Sequence, residues 1–218
     1  CVLGRGRDRA HRADVEPAKQ EETKLLQADY CFLGRRGEER DTITVLTVVA
    51  LKDGDVMTAY ARQKGASDAY VLGAVKAFAG ELPYKKFFFQ VDPESSTKEL
   101  QRAVCSRTEG AMPRDSPKES KGSLGGVEGA HARVQGQFRT LLCELEQKLG
   151  KKRPLTHKLI PWLVRHIGWQ LTRFQTHSGD GKTSWERRTG QPYRGEVLTV
   201  GETAMFRVVE QRAGKAEA

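Results

Sequence analysis

The sequence predicts an α/β fold: a mixed five-stranded sheet, three antiparallel strands followed by parallel ones, flanked by helices. Three observations predict it. Three β-rich segments follow one another across short polar turns between residues 25 and 62. A segment with three consecutive phenylalanines, residues 84–92, comes after an amphipathic stretch, the pattern of a buried parallel strand entered from a crossover helix. Two long stretches near residues 124–149 and 158–175 then carry apolar residues at steps of three and four.

The first element is a strand over residues 26–34 (LQADYCFLG), followed by a polar turn through residue 41. Residues 43–51, rich in Thr and Val, have the length and propensity of a central strand. The turn chemistry of Lys52-Asp53-Gly54-Asp55 leads into a third strand over 56–62. A helix over 67–81 starts at Ser67 as its N-cap and carries Val71, Leu72, Val75 and Phe78 on one face. The fourth strand, 84–92, is stopped by Pro93, and a helix over 95–107 is capped by Ser95 or Ser96. Residues 108–121, with Pro113, Pro117 and glycine, read mostly as a mobile loop with room for a short edge strand. In the long helix over 124–149 the apolar positions are Val127, Ala130, Val134, Phe138, Leu141 and Leu145. In the next they are Ile160, Leu163, Ile167, Leu171 and Phe174. A short helix over 183–188 and strand-like pieces at 196–200 and 203–209 complete the pass.

Residues 1–22 are charged and aperiodic, a linker; 23–190 form the core; 191–218 begin a C-terminal extension with a disordered tail. Beginning at Cys1 and not at a methionine, the chain reads as a segment of a polyprotein, or as one trimmed at that point. No apolar run approaches the roughly 20 residues of a membrane span, and the Arg-rich start lacks the apolar region of a secretion signal. With 37 Lys and Arg against 28 Asp and Glu, the net charge of +9 favours a polyanionic partner. Cys1, Cys31, Cys105 and Cys143 are too scattered for a metal site, so the last three are expected as buried free thiols.

Three acids occupy unusual places. Asp29 lies inside a strand, where a carboxylate is disfavoured. Asp92 closes the fourth strand, and Glu128 stands in the first turns of a long helix beside the apolar Val127. If the first and fourth strands are neighbours and that helix crosses the sheet, the three carboxylates meet. Clustered carboxylates repel and call for cations, and hard oxygen ligands select magnesium or manganese over zinc. Each acid alone has an ordinary structural reading, as a hydrogen-bonded strand residue or a turn former. Glu94, Asp115 and Glu119 are expected to be solvated loop charges.

The order of elements resembles the RNase H-like layout, and the motifs resemble the catalytic core of retroviral and retrotransposon integrases, most of all the copia type. That family carries Asp, Asp and Glu with 35 residues between the last two, and here residues 93–127 number thirty-five. ADYCFL resembles its first strand, KFFFQVDPESSTKEL its second acid and helix entry, and SPKESKGSLGGVEGAHARVQGQFRTL its loop and Glu-bearing helix. The segment WLVRHIGWQLTRFQTHSGDGKTSWERRTG is similar to the following helix and to a Thr-Pro-Tyr-Glu segment, here Thr183-Ser184-Trp185-Glu186. The resemblance covers about residues 25–207. It implies an integrase-type polynucleotidyl transferase that performs metal-dependent 3′-end processing and strand transfer of a retroelement. Asp29, Asp92 and Glu128 would be both catalytic residues and ligands to Mg2+ or Mn2+. The implied partners are retroelement ends and target DNA, with self-association and no membrane, and the implied place of action is the nucleus.

Departures from the family pattern point to a second reading. Leu124 stands where the family often has Asn, and Ala132 and Gln135 stand where basic residues often touch DNA. A decayed or domesticated copy that binds nucleic acid or self-associates without catalysis would show such losses. Lys118, Lys121, Arg133 and Arg139 flank the expected site and are the candidates for holding phosphates. Cys1 has the position of a last ligand from a preceding zinc module, but one cysteine alone holds no structural zinc. Trp162, His166, Trp169 and Arg173 form a helical stripe, expected to be core or a subunit contact, with His166 a satisfied buried histidine.

Overall fold

A computed structural model of the chain describes residues 24–38, 40–116 and 124–205. Ten elements follow in chain order: β1 (Leu25–Gly34), β2 (Thr42–Ala50), β3 (Val56–Ala61), α1 (Ala69–Glu81), β4 (Phe87–Val91), α2 (Ser95–Arg107), β5 (Ala111–Asp115), α3 (Gly125–Leu149), α4 (Leu159–Phe174) and α5 (Ser184–Thr189). The strands form one sheet in the order β3-β2-β1-β4-β5. β1, β2 and β3 pair antiparallel, while β4 and β5 join parallel. This is the mixed five-stranded RNase H-like sheet that the sequence predicts.

Strand periodicity divides the core. On β1, Leu26, Ala28 and Tyr30 face α1 and α2 together with Leu46, Val48, Phe87, Phe89 and Val91. The alternate residues Cys31 and Leu33 face α3 and α4, with Val45, Phe138, Leu145, Ile160 and Ile167. Asp29 shares the parity of Cys31, so it stands on the α3 face. There α4 lies directly on edge strand β3. A Cβ on Gly168 would come within 2.9 Å of Val56 O and 2.8 Å of Thr58 N, so only glycine permits this approach. Thr58 Oγ1 accepts from Gly168 N (3.0 Å), and Thr172 Oγ1 accepts from Val56 N (2.9 Å). Those bonds satisfy part of an otherwise open sheet edge.

Several local expectations are corrected. Helix α1 begins after Asp68, not Ser67: Asp68 Oδ1 accepts from the amides of Tyr70 and Val71, and Ser67 bonds Gln63 instead. Neither Ser95 nor Ser96 caps α2. Glu94 holds the N-cap position without a side-chain cap bond, and Ser96 donates to Glu94 Oε1. Residues 111–115 form the edge strand β5, with Pro113 opposite Phe89. Proline is tolerated there because one side of an edge strand needs no amide donors. The remainder of the expected mobile loop, residues 117–121, lies outside the described residues. Residues 196–200 form no strand. Instead Val200 is buried against α3, and Lys148 Nζ donates to Thr199 Oγ1 and Val200 O.

The stripe on α4 is not core. Trp162 is 56% exposed, and the rings of Trp162, His166 and Trp169 stack at 5.4 and 5.2 Å. His166 Nε2 is shielded and has no hydrogen-bond partner among the described residues, the imidazole being held by its faces. Arg173 continues the array, its guanidinium 4.8 Å from the Trp169 ring and 4.6 Å from that of Trp185. Cys31 is buried, while Cys105 and Cys143 are half-buried. No described helix is long and apolar enough to cross a membrane.

Candidate active site

The site is built by a register. β1 and β4 run parallel with Gln27 opposite Gln90 and Ala28 opposite Val91. One step further, Asp29 comes level with Asp92, on strands about 4.8 Å apart. Asp29 follows the parity of the two glutamines, toward α3, and exposed Asp92, just past the end of β4, lies near enough for its charge to act on Asp29. The carboxylates sense each other. Burial raises the Asp29 pKa, Asp92 raises it further, and the Tyr30 amide, His131 and Lys64 oppose the rise. The Tyr30 amide donates to Asp29 Oδ1 at 2.8 Å.

A buried chain of amides and hydroxyls fixes that register. Gln27 Oε1 accepts from the Gly126 and Val127 amides (3.1 and 3.3 Å), two of the free N–H groups that open α3. Its Nε2 donates to Gln90 Oε1, Gln90 Nε2 donates to Ser116 Oγ, and Ser116 donates to Val91 O. β1, β4, the end of β5 and the start of α3 are thereby joined in one network. Gly126 makes this possible, since a Cβ there would sit 2.2 Å from Leu51 Cδ2 and 2.8 Å from Gln27 Oε1. Behind Asp92, buried Thr97 donates to the Asp92 carbonyl at 2.7 Å and holds the strand end against α2.

Glu128 follows Val127 and is exposed at the rim. One turn on, His131 lies near both Asp29 and Glu128. Burial lowers the His131 pKa, while Asp29 and Glu128 pull it upward. Among the described residues no three His, Cys, Asp or Glu side chains stand close enough to hold a metal ion. The structure therefore brings Asp29 and Asp92 together and leaves Glu128 outside that pair. His131 was missed in the sequence. Its signal was the Glu-x-x-His spacing, which puts two side chains on one face of a helix.

The expected phosphate-holding residues scatter. Lys118 and Lys121 lie outside the described residues. Arg133 sits between α3 and α4, donates to Gln175 Oε1 at 3.3 Å, and has its pKa lowered by burial. Arg139 lies farther along α3 and reaches Gly34 O at 3.5 Å. Lys64 is a cation that the sequence reading passed over. It pairs with Glu94 at 3.2 Å, lies over the Tyr30 and Phe32 rings, and tempers Asp29.

This is the fold of integrase catalytic cores. The likeness is to three solved structures in particular. The first is a chain of the cryo-EM structure of the simian T-cell lymphotropic virus intasome in complex with PP2A regulatory subunit B56 gamma. It aligns at a TM-score of 0.58 and 14% identity, over 94% of this chain and 69% of that one. The HTLV-2 integrase catalytic core domain in complex with magnesium aligns at 0.51 and 14%, over 76% and 96%. The catalytic core domain of BIV integrase aligns at 0.50 and 13%, over 77% and 95%. No family model matches the sequence, and no curated protein matches it.

Proposed function

We propose that this chain is the core of a retroelement integrase, a polynucleotidyl transferase for DNA end processing and strand transfer. The observation that carries the reading is the β1–β4 register. It sets Asp29 beside Asp92 on the α3 face, and the Gln27 network brings the start of α3, with Glu128, to the same edge. The copia-type resemblance rests on the 35-residue spacing and the quoted motifs.

The donor set fits a hard divalent cation. Two carboxylates share one edge; burial chiefly, and the Asp92 charge in addition, raise the Asp29 pKa, and a bound cation would offset both. Asp29 and Asp92 would hold Mg2+ or Mn2+, with Glu128 drawn in from the rim as third ligand. A bound divalent pair supplies charge stabilisation for both the attacking and the leaving oxygen of an in-line displacement at phosphorus. The chain's own groups do the rest. Gln27 and Gln90 hold the two acids in register, Thr97 fixes the Asp92 backbone, and His131 stands over Asp29 as a nearby proton carrier. The reading places the protein on retroelement ends and target DNA, in the nucleus, as a self-associating core.

The test is a strand-transfer assay with magnesium, beside Asp92→Asn. Joining by the wild-type chain, lost in the variant, is the expected result; joining by both would remove Asp92 from the site. A second reading is favoured by one observation. Glu128 stands outside the aspartate pair, and farther along the same face of α3 exposed Ala132 and half-buried Gln135 carry no charge. A decayed copy that binds nucleic acid without catalysis would show binding in the same assay and no joining by either protein.

A further inference from the structure

A groove of about 530 Å3 lies at the other end of α3. Arg35 and Arg36 from the end of β1 form one wall. Arg139 and Glu146 on α3, with Lys151 and Lys152 after it, form the other. The helix stops at Gly150, in the left-handed conformation with φ 66°, and this turns the two lysines back over the groove. Cations at a helix C-terminus have an ordinary role in offsetting its dipole, which accounts for the lysines alone. It does not account for arginines brought from the end of β1 and from about three turns back.

The charges divide into used and unused. Arg35 is committed to the fold. It pairs with Glu146 and with Asp41 at 3.4 Å and donates to Arg153 O. Lys152 pairs with Glu38 at 3.4 Å. Arg36, Arg139 and Lys151 have no acidic partner among the described residues. Arg139 lies eleven residues beyond Glu128, within about 20° of it around the helix, and Glu146 is on the same line. Between them the stripe carries Ala132 and Gln135. The positive charge of this face is therefore displaced along α3, by about 16 Å from Glu128 at Arg139 and about 32 Å at the helix end before Lys151.

We infer that this groove is a second nucleic-acid contact, which binds the phosphate backbone of duplex DNA about five to nine base pairs from the reacting phosphate. The inference rests on the integrase reading for the location of that phosphate. Arg36, Arg139 and Lys151 supply the charge, and Arg35, locked by Glu146, supplies the rigid wall. Contacts of this kind position a duplex without reading its bases.

The test measures DNA binding apart from catalysis. The full chain carrying Asp92→Asn is titrated, by fluorescence anisotropy, onto a labelled duplex of about thirty base pairs between about 50 and 200 mM salt. Arg36→Ala with Lys151→Ala is compared with a control pair of equal charge, Lys76→Ala with Arg102→Ala, on exposed positions of α1 and α2. The groove pair should weaken binding about fivefold or more at low salt and reduce the log–log salt slope by about 2, with no dependence on sequence. The control pair should change the slope by much less. Arg36→Lys with Lys151→Arg should restore binding, which separates lost charge from lost folding. Equal effects of the two pairs, or none from the groove pair, would overturn the inference. Loss of binding through the groove in a protein whose wild-type form joins no DNA would sink the enzymatic reading and leave the groove as a nucleic-acid site.

Discussion

The two faces of the sheet are built on different physics. The face toward α1 and α2 is mainly apolar: Leu26, Ala28, Leu46, Val48, Phe89 and Val91 are buried there with Val71, Val75 and Leu100. The face toward α3 and α4 mixes its apolar cluster with buried polar residues, Gln27, Thr47, Thr58, Gln90 and Thr172. Each of these bonds a backbone group or a side chain of another element, Thr47 through the Cys31 thiol. Apolar contact is non-directional and fixes how much surface is buried. Hydrogen bonds fix which atom lies opposite which, and a carboxylate site needs that second kind of order.

The largest expected effect tests the apolar face. Phe89→Ala removes one of the largest fully buried side chains and should cost about 3–5 kcal/mol, a large part of a typical domain's stability. Denaturant melts should show the loss. A cost as small as that of a surface substitution would break the claim that this face carries the fold.

A smaller effect is expected from Gln27→Leu, and its signature differs. Volume is nearly kept, but the Gly126 and Val127 amides lose their acceptor and Gln90 loses a donor. The cost should be about 1–3 kcal/mol. Hydrogen exchange should quicken at the first turn of α3 more than at α1, and strand transfer should fall further than stability explains. Uniform loosening of both helices would mean that the network positions nothing.

The smallest effect sharpens the contrast by pH. The Asp29 pKa is raised in the folded protein above its ordinary value of 3.8, chiefly by burial. The folded state then holds its proton more tightly than the unfolded chain, so this group's contribution falls as pH rises from about 3.8 through the folded value. In metal-free buffer Asp29→Asn should flatten that fall and melt no lower than wild type at neutral pH. Magnesium, binding only the folded site, should raise the wild-type melting temperature and leave Asp29→Asn nearly unmoved. Equal magnesium shifts would deny Asp29 a role as ligand.

Much of this was legible in the chain because it is local. Strand and helix periods, the turn at residues 52–55 and the phenylalanine run set the elements and their order, since each depends on near neighbours in sequence. The acids Asp29, Asp92 and Glu128 were legible as odd placements, a carboxylate inside a strand being costly without a reason. Caps were less legible: Asp68 and Ser67 compete for the same amides, and geometry alone selects Asp68. β5 was half-hidden because Pro113 speaks against a strand until the segment is known to lie at an edge.

What only tertiary structure decided is what depends on register and on rotation about α3. Gln27 and Gln90 are sixty-three residues apart and look like any polar strand residues; their hydrogen bond exists only once β1 and β4 pair in one register. The same pairing sets Asp29 level with Asp92, while the position of α3 leaves Glu128 at the rim and brings His131 over Asp29. Arg36 and Arg139 are a hundred residues apart and become one groove for the same reason. A sequence specifies each element through contacts a few residues long, whereas a site is a set of distances between elements, fixed by the packing of the whole sheet.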